Sequence, residues 1–210
     1  MLHILTEEKK AERVTRAKSH AKLDRLRQGS YVDIQSSGDK KKLVGCSVGC
    51  DAIDILRLKD GSETYEYHKI VAEHYNTPLW LEKLRDSVFE SLGSEDAIQW
   101  HVDLAEALPV GIDLDPYALK IRINLVKAIE DEDPRVVNKL VKFMTKFMTS
   151  HGYIPEIEKI KFLKNHTGSV FWTKTSHALS ETPAEWLNIA DTYPDVVAKI
   201  ILDTFRGIDA

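Results

Sequence analysis

Thr77-Pro78-Leu79-Trp80-Leu81-Glu82-Lys83-Leu84-Arg85-Asp86-Ser87-Val88-Phe89-Glu90-Ser91-Leu92 carries the pattern that decides the fold. Threonine can cap a helix, and proline suits its first position, where the missing N–H would have no partner in any case. Trp80, Leu81, Leu84, Val88, Phe89 and Leu92 then fall on one apolar stripe at helical spacing. Opposite the Leu81, Leu84 and Val88 part of that stripe, Glu82, Asp86 and Glu90 form an acidic ladder at i, i+4 and i+8, a pattern that ordinarily faces solvent.

The same start and stop signals recur in both directions. Thr6 with Glu7 and Glu8 opens a helix expected to run to Gln28 and to end at Gly29. Residues 30–44 alternate only briefly, over Tyr31-Val32-Asp33-Ile34-Gln35, and read as a loop with at most one short strand. Helical patterning returns over 49–59 and again from Tyr65 to His74, where Asn76 stops it. Ser94 caps a helix that reaches Pro109, and Asp115-Pro116, Asp133-Pro134, Pro155, Thr182-Pro183 and Pro194 each precede a further apolar stripe. Only residues 169–173 add strand character. The chain is therefore expected to be all-α, a single compact domain over 1–210 with about ten helices and short loops. The acidic run at 130–133 would be its one weak joint, and reads better as a helix end meeting the capped start of the next.

Composition excludes several classes. With 43% hydrophobic and 30% charged residues over 210 positions, the chain has the balance of a globular protein and can bury a substantial core. No apolar run approaches the roughly 18 residues of a membrane span. The opening Met1-Leu2-His3-Ile4-Leu5 passes directly into Thr6-Glu7-Glu8-Lys9-Lys10, without the apolar core of a signal peptide. Two cysteines make no disulfide framework, so a cytoplasmic location is expected, with no membrane partner. Residues 9–42 hold eleven basic and four acidic side chains, a net +7 that leaves −11 for the remainder. Such asymmetry can mark a nucleic-acid footprint. The segment lacks interleaved aromatics for base stacking, which favours a basic first helix lying against an acidic body.

Chemistry-bearing residues concentrate in two stretches, His20-x3-Asp24-x3-Gln28-Gly29 and Gly45-Cys46-Ser47-Val48-Gly49-Cys50. On a continuous helix His20 and Asp24 meet at i and i+4, and the carboxylate would orient the imidazole as a base. Ala17 and Ala21 flank His20 and would let another element approach closely. Glycine at 45 and 49 likewise clears one face for a close backbone approach. Cys46 or Cys50 at a helix N-terminus would gain thiolate character, with His20 or His68 as base; tight packing of buried thiols is the alternative. Cys46-x3-Cys50-x17-His68-x5-His74 imitates a zinc set, but histidines six apart on one helix diverge by about 120°. No metal ligands are assigned on that basis. No phosphate-binding glycine loop or nucleophile elbow is present, and no cofactor can be named.

The run His20-x3-Asp24-x3-Gln28-Gly29-x-Tyr31, followed by Gly45-Cys46-x-Val48-Gly49-Cys50, resembles an uncharacterised family of bacterial and bacteriophage proteins. The likeness continues through Pro78-x-Trp80-Leu81-x2-Leu84-x-Asp86-x2-Phe89-Glu90-x-Leu92 and Ala107-Leu108-Pro109-Val110-Gly111-x-Asp113-Leu114, and spans about residues 17–125. It implies a phage or prophage setting and attaches no activity. Where the family tends to place a histidine soon after the second cysteine, this chain has Asp51-Ala52-Ile53-Asp54.

The expected site is a polar pocket for a small molecule, performing hydrolysis or group transfer. His20, Asp24, Cys46 and Cys50 would carry the chemistry, and Gln28, Tyr31 and His68 would contact the substrate. The alternatives are an interaction protein that binds a host protein, and a nucleic-acid binder using residues 9–42.

Overall fold

A computed structural model describes residues 2–37, 40–60, 66–118, 120, 121, 124 and 194–207. The helices expected between 133 and 190, the strand at 169–173 and the joint near 130–133 lie outside these residues. Within them the elements are α1 (Glu7–Lys22), β1 (Asp33–Ser37), β2 (Lys40–Val44), α2 (Ser47–Leu56), α3 (Tyr67–Tyr75), α4 (Leu79–Ser91), α5 (Ser94–Ala107), a helix α6 seen at 115–118, 120, 121 and 124, and α7 (Pro194–Arg206).

The all-α expectation of about ten helices is therefore corrected to seven helices and a two-stranded antiparallel sheet among the described residues. The hairpin pairs Asp33 with Val44, Gln35 with Lys42 and Ser37 with Lys40. Asp33, Gln35, Ser36 and Lys41 are polar and exposed and Ile34 is exposed beside them, so no apolar alternation announces the strands. No helix among the described residues is long and apolar enough to cross a membrane.

Helix limits follow local chemistry. Thr6 Oγ1 accepts the Lys9 N–H at 3.2 Å and caps α1. That helix stops at Lys22, six residues before the expected end, because Asp24 turns into the left-handed region at φ 52°. Asn76 does the same at the end of α3, with φ 54°. Val197, Ile200, Ile201 and Phe205 bury one face of α7, which packs on α4 and α5.

The core joins Leu5, Val48, Tyr75, Leu81, Leu84, Phe89, Leu104 and Leu108, and an ion network runs through it. Arg13 of α1 donates two parallel bonds to Glu82 of α4, at 2.8 and 3.0 Å, with both side chains no more than 1% exposed. Thr77 donates a third bond to Glu82 at 2.6 Å. Arg85 donates to Asp51 of α2 at 2.7 Å, and its Nε lies 3.2 Å from Glu82 as an ion-pair contact without hydrogen-bond alignment. Tyr75 of α3 donates to Asp51, the Arg13 guanidinium sits 4.9 Å over the Tyr75 ring, and Trp100 of α5 donates to the Arg85 carbonyl. All five of the first helices thus reach one set of charges. Glu82 belongs to this interior and Asp86 is buried too, so of the acidic ladder only Glu90 faces solvent.

The basic N-terminal segment is largely answered within the chain. Lys9 and Arg16 pair with Glu12, Lys18 with Glu106, Arg25 with Asp54, and Arg27 and Lys42 with Asp24.

This interior makes stability depend on pH. Burial, aided by Arg85, His20 and Arg13, holds His101 well below its ordinary 6.5 against the pull of Asp51. The unfolded chain therefore takes up a proton below about 6.5 that the folded chain refuses, and stability falls as pH drops through that value. Although burial opposes it, Arg85 and the histidines depress Asp51, and Arg13 and Arg85 depress Glu82. These two contribute stability above their ordinary values of 3.8 and 4.5 that is lost as pH falls below them. Urea midpoints should fall between about pH 8 and 5 and fall more steeply below about 4.5. In His101→Gln the first part of that slope should flatten; an unchanged slope would assign it to other groups.

Candidate functional site

The chain crosses itself where the site is built. Arg27 N–H donates to the Gly45 carbonyl at 2.7 Å, Gly45 N–H to Arg25 at 3.0 Å, and Cys46 N–H to Ser30 at 2.9 Å. This lacing presses the Tyr31 carbonyl onto the first turn of α2. A Cβ at Gly45 would lie 2.0 Å from that oxygen, and one at Gly49 only 1.5 Å. Both glycines are required by space. The crossing brings Tyr31 beside Cys46, which caps α2 by accepting the Gly49 N–H at 3.4 Å.

Opposite Cys46 stand two carboxylates of α4. Asp86 and Glu90 are one turn apart, and one donor atom from each of Cys46, Asp86 and Glu90 lies within 4.8 Å of the other two. Asp86 is 6% exposed; it accepts from Ser47 Oγ at 3.4 Å and from His68 Nε2 of α3 at 3.2 Å. Glu90 is exposed and accepts the Gly29 N–H at 2.6 Å. The Tyr31 ring meets His68 edge-on at 5.4 Å and Tyr67 at 5.6 Å. Tyr31, His68 and Glu90 bring the cluster to the surface, while Asp86 and Cys46 form its floor.

Electrostatics fix the protonation states. Burial, then the Asp86 carboxylate, pushes the Cys46 thiol well above its ordinary value. Burial and Asp86 raise Tyr31 to about 12, and burial, with Asp86, raises Glu90 against the Gly29 N–H. The expectation that the helix N-terminus favours a thiolate at Cys46 is corrected: burial, with the adjacent carboxylate, outweighs it. The order is thiol–carboxylate–imidazole. In a cysteine nucleophile the imidazole would stand between the other two. Here Asp86 instead holds His68 through Nε2, leaving Nδ1 as the basic ring nitrogen.

The remaining candidates lie elsewhere. His20 is fully buried, and its carboxylate partner is Asp54 at 2.9 Å, with His101 Nε2 at 3.3 Å from its other nitrogen. His101 Nδ1 has no hydrogen-bond partner among the described residues. Asp24 does not meet His20, because the helix ends before it; it is exposed and paired with Arg27. Gln28 donates to the Phe89 and Leu92 carbonyls at 2.7 and 2.8 Å, closing the C-terminus of α4. Cys50 donates to the Arg25 and Gly45 carbonyls, and burial raises its thiol to about 12. Of the seven expected residues, Cys46, Tyr31 and His68 converge, and His20, Asp24, Gln28 and Cys50 do not join them.

Asp86 and Glu90 complete the cluster and were read as solvated ladder positions. Their signal was present at i and i+4 in the helix quoted first, but the cysteine that faces them is forty residues away in sequence. Ala at Gly49 should destabilise by about 1–3 kcal/mol or more, because the neighbour it meets is backbone. Gly93→Ala meets only a flexible Asp96 carboxylate at 3.3 Å and serves as the mild control in urea melts. Equal effects would contradict the close crossing. Comparison with protein-family models, curated proteins and solved structures finds no match to this chain.

Proposed function

We propose that the chain acts on a small polar molecule by hydrolysis or group transfer at the Cys46–His68–Asp86–Glu90 edge. His68 is the base, through Nδ1, and Asp86 is its positioning residue. Tyr31 and Glu90, at the rim, contact the substrate. The observation that carries this reading is the 3.2 Å bond between His68 Nε2 and an Asp86 carboxylate that is 6% exposed. A carboxylate withdrawn from water and bonded to one ring nitrogen selects the tautomer and fixes the orientation of the ring, so that the other nitrogen can accept a proton. The proposed setting is the cytoplasm, in keeping with the cysteine usage, and a phage or prophage context, as the family resemblance implies. Because most basic side chains of residues 9–42 are paired within the chain, nucleic acid is a weaker candidate ligand.

The test is turnover of a panel of chromogenic esters, phosphate esters and amides, with His68→Ala and Asp86→Asn measured beside the parent protein. His68→Ala should lower the rate by about 100-fold or more, and Asp86→Asn should lower it and shift its pH profile. Urea midpoints establish that both variants remain folded. Turnover of nothing on the panel, or turnover indifferent to both substitutions, would overturn the reading.

A further inference from the structure

We propose that Cys46, Asp86 and Glu90 bind one divalent cation of the zinc class at this site. The inference rests on the location of the functional edge proposed above, and adds its cofactor.

Three observations carry it. The first is convergence: a sulfur and two carboxylate oxygens from α2 and α4 lie within 4.8 Å of one another. Tetrahedral zinc holds such ligands about 3.5 Å apart, so binding would draw these three side chains closer together. The second is a missing countercharge. Of the three buried carboxylates among the described residues, Asp51 and Glu82 each face arginine at 2.7–2.8 Å. Asp86 faces a thiol, a hydroxyl, an imidazole and a second carboxylate, and among the described residues no arginine or lysine is in ion-pair contact with it, Arg85 acting on it only through space. A site so rich in acceptors is completed by a cation. The third is the cap. Cys46 already receives the Gly49 N–H at the N-terminus of the ten-residue α2, where the helix dipole stabilises a thiolate once a cation offsets Asp86.

The donor set selects the metal. Thiolate with carboxylates suits zinc, whereas magnesium and calcium take oxygen alone. Binding replaces the Cys46 S–H proton by a metal–sulfur bond, and the proton leaves to solvent. Three protein ligands leave a fourth position free, as in sites that bind substrate or water. His68, bonded to Asp86, orients that ligand from outside.

The experiment titrates Co2+ into the full chain after treatment with a chelator, reading thiolate-to-cobalt charge-transfer and d–d absorption. One equivalent should saturate the signal, and Zn2+ should abolish it. Cys46→Ser should lose the charge-transfer band, Cys50→Ser should keep it, and Glu90→Gln, at an exposed position, should weaken binding at least about tenfold. No charge-transfer band, a band that survives Cys46→Ser, or affinity unchanged by Glu90→Gln would overturn the proposal. If cobalt fails to bind while His68→Ala still abolishes turnover, the metal assignment falls and the functional reading stands. If cobalt binds as expected while turnover ignores His68, the reverse holds.

Discussion

Glu82 is the constraint on which the described structure turns. It is withdrawn from water, yet it accepts from Arg13 and Thr77 and lies beside Arg85, which in turn holds Asp51. Four opposite charges in the interior are tolerable only when each finds its partner, since removing one leaves another buried and alone. An apolar stripe lets two helices slide or rotate at modest cost. A bidentate guanidinium–carboxylate pair admits one arrangement. The network therefore selects how α1, α2 and α4 meet, while Tyr75 and Trp100 attach α3 and α5 to it.

The candidate site inherits its geometry from this interior. Arg85 bonds both Asp51 and the Ser47 carbonyl, which sets the first turn of α2 against α4. The next residue of α4 is Asp86, and the residue before Ser47 is Cys46, so their meeting follows from the same clamp. From the other side, the Tyr31 carbonyl seats on Gly45 and Gly49. Gln28 and Gly29 bind the last turn of α4 around Glu90. The polar residues that made the N-terminal stretch conspicuous divide into two duties. Gln28, His20 and Cys50 hold the frame, and Cys46 with Tyr31 and His68 borders the candidate site.

Helix starts and stops were legible because they are local: Thr6, Asn76 and the Pro194 start act within a turn of themselves. The hairpin was hidden by its exposed polar side chains. The end of α1 was hidden because Asp24 can continue a helix or leave it, and what decides is the tertiary crossing of Arg25–Arg27 beside Gly45. The glycine spacing correctly announced a close backbone approach, but the partner, Tyr31, could not be read from spacing. Carboxylates at i and i+4 look alike whether they face water or arginine. Glu82 and Asp86 are buried because Arg13 and His68 reach them from other helices, while Arg85 meets Glu82 from within α4 itself.

Buried charge pairing about Glu82 organises these helices, and a double-mutant cycle of Arg13→Met and Glu82→Met, followed by urea melts, measures that coupling. Each single change strands a charge and should cost about 3–5 kcal/mol. The double variant leaves Arg85 and Asp51 as a neutral pair, and should fall short of the summed costs by more than about 1 kcal/mol. Costs that add to within about 0.5 kcal/mol would show the two side chains acting independently, and would contradict the account.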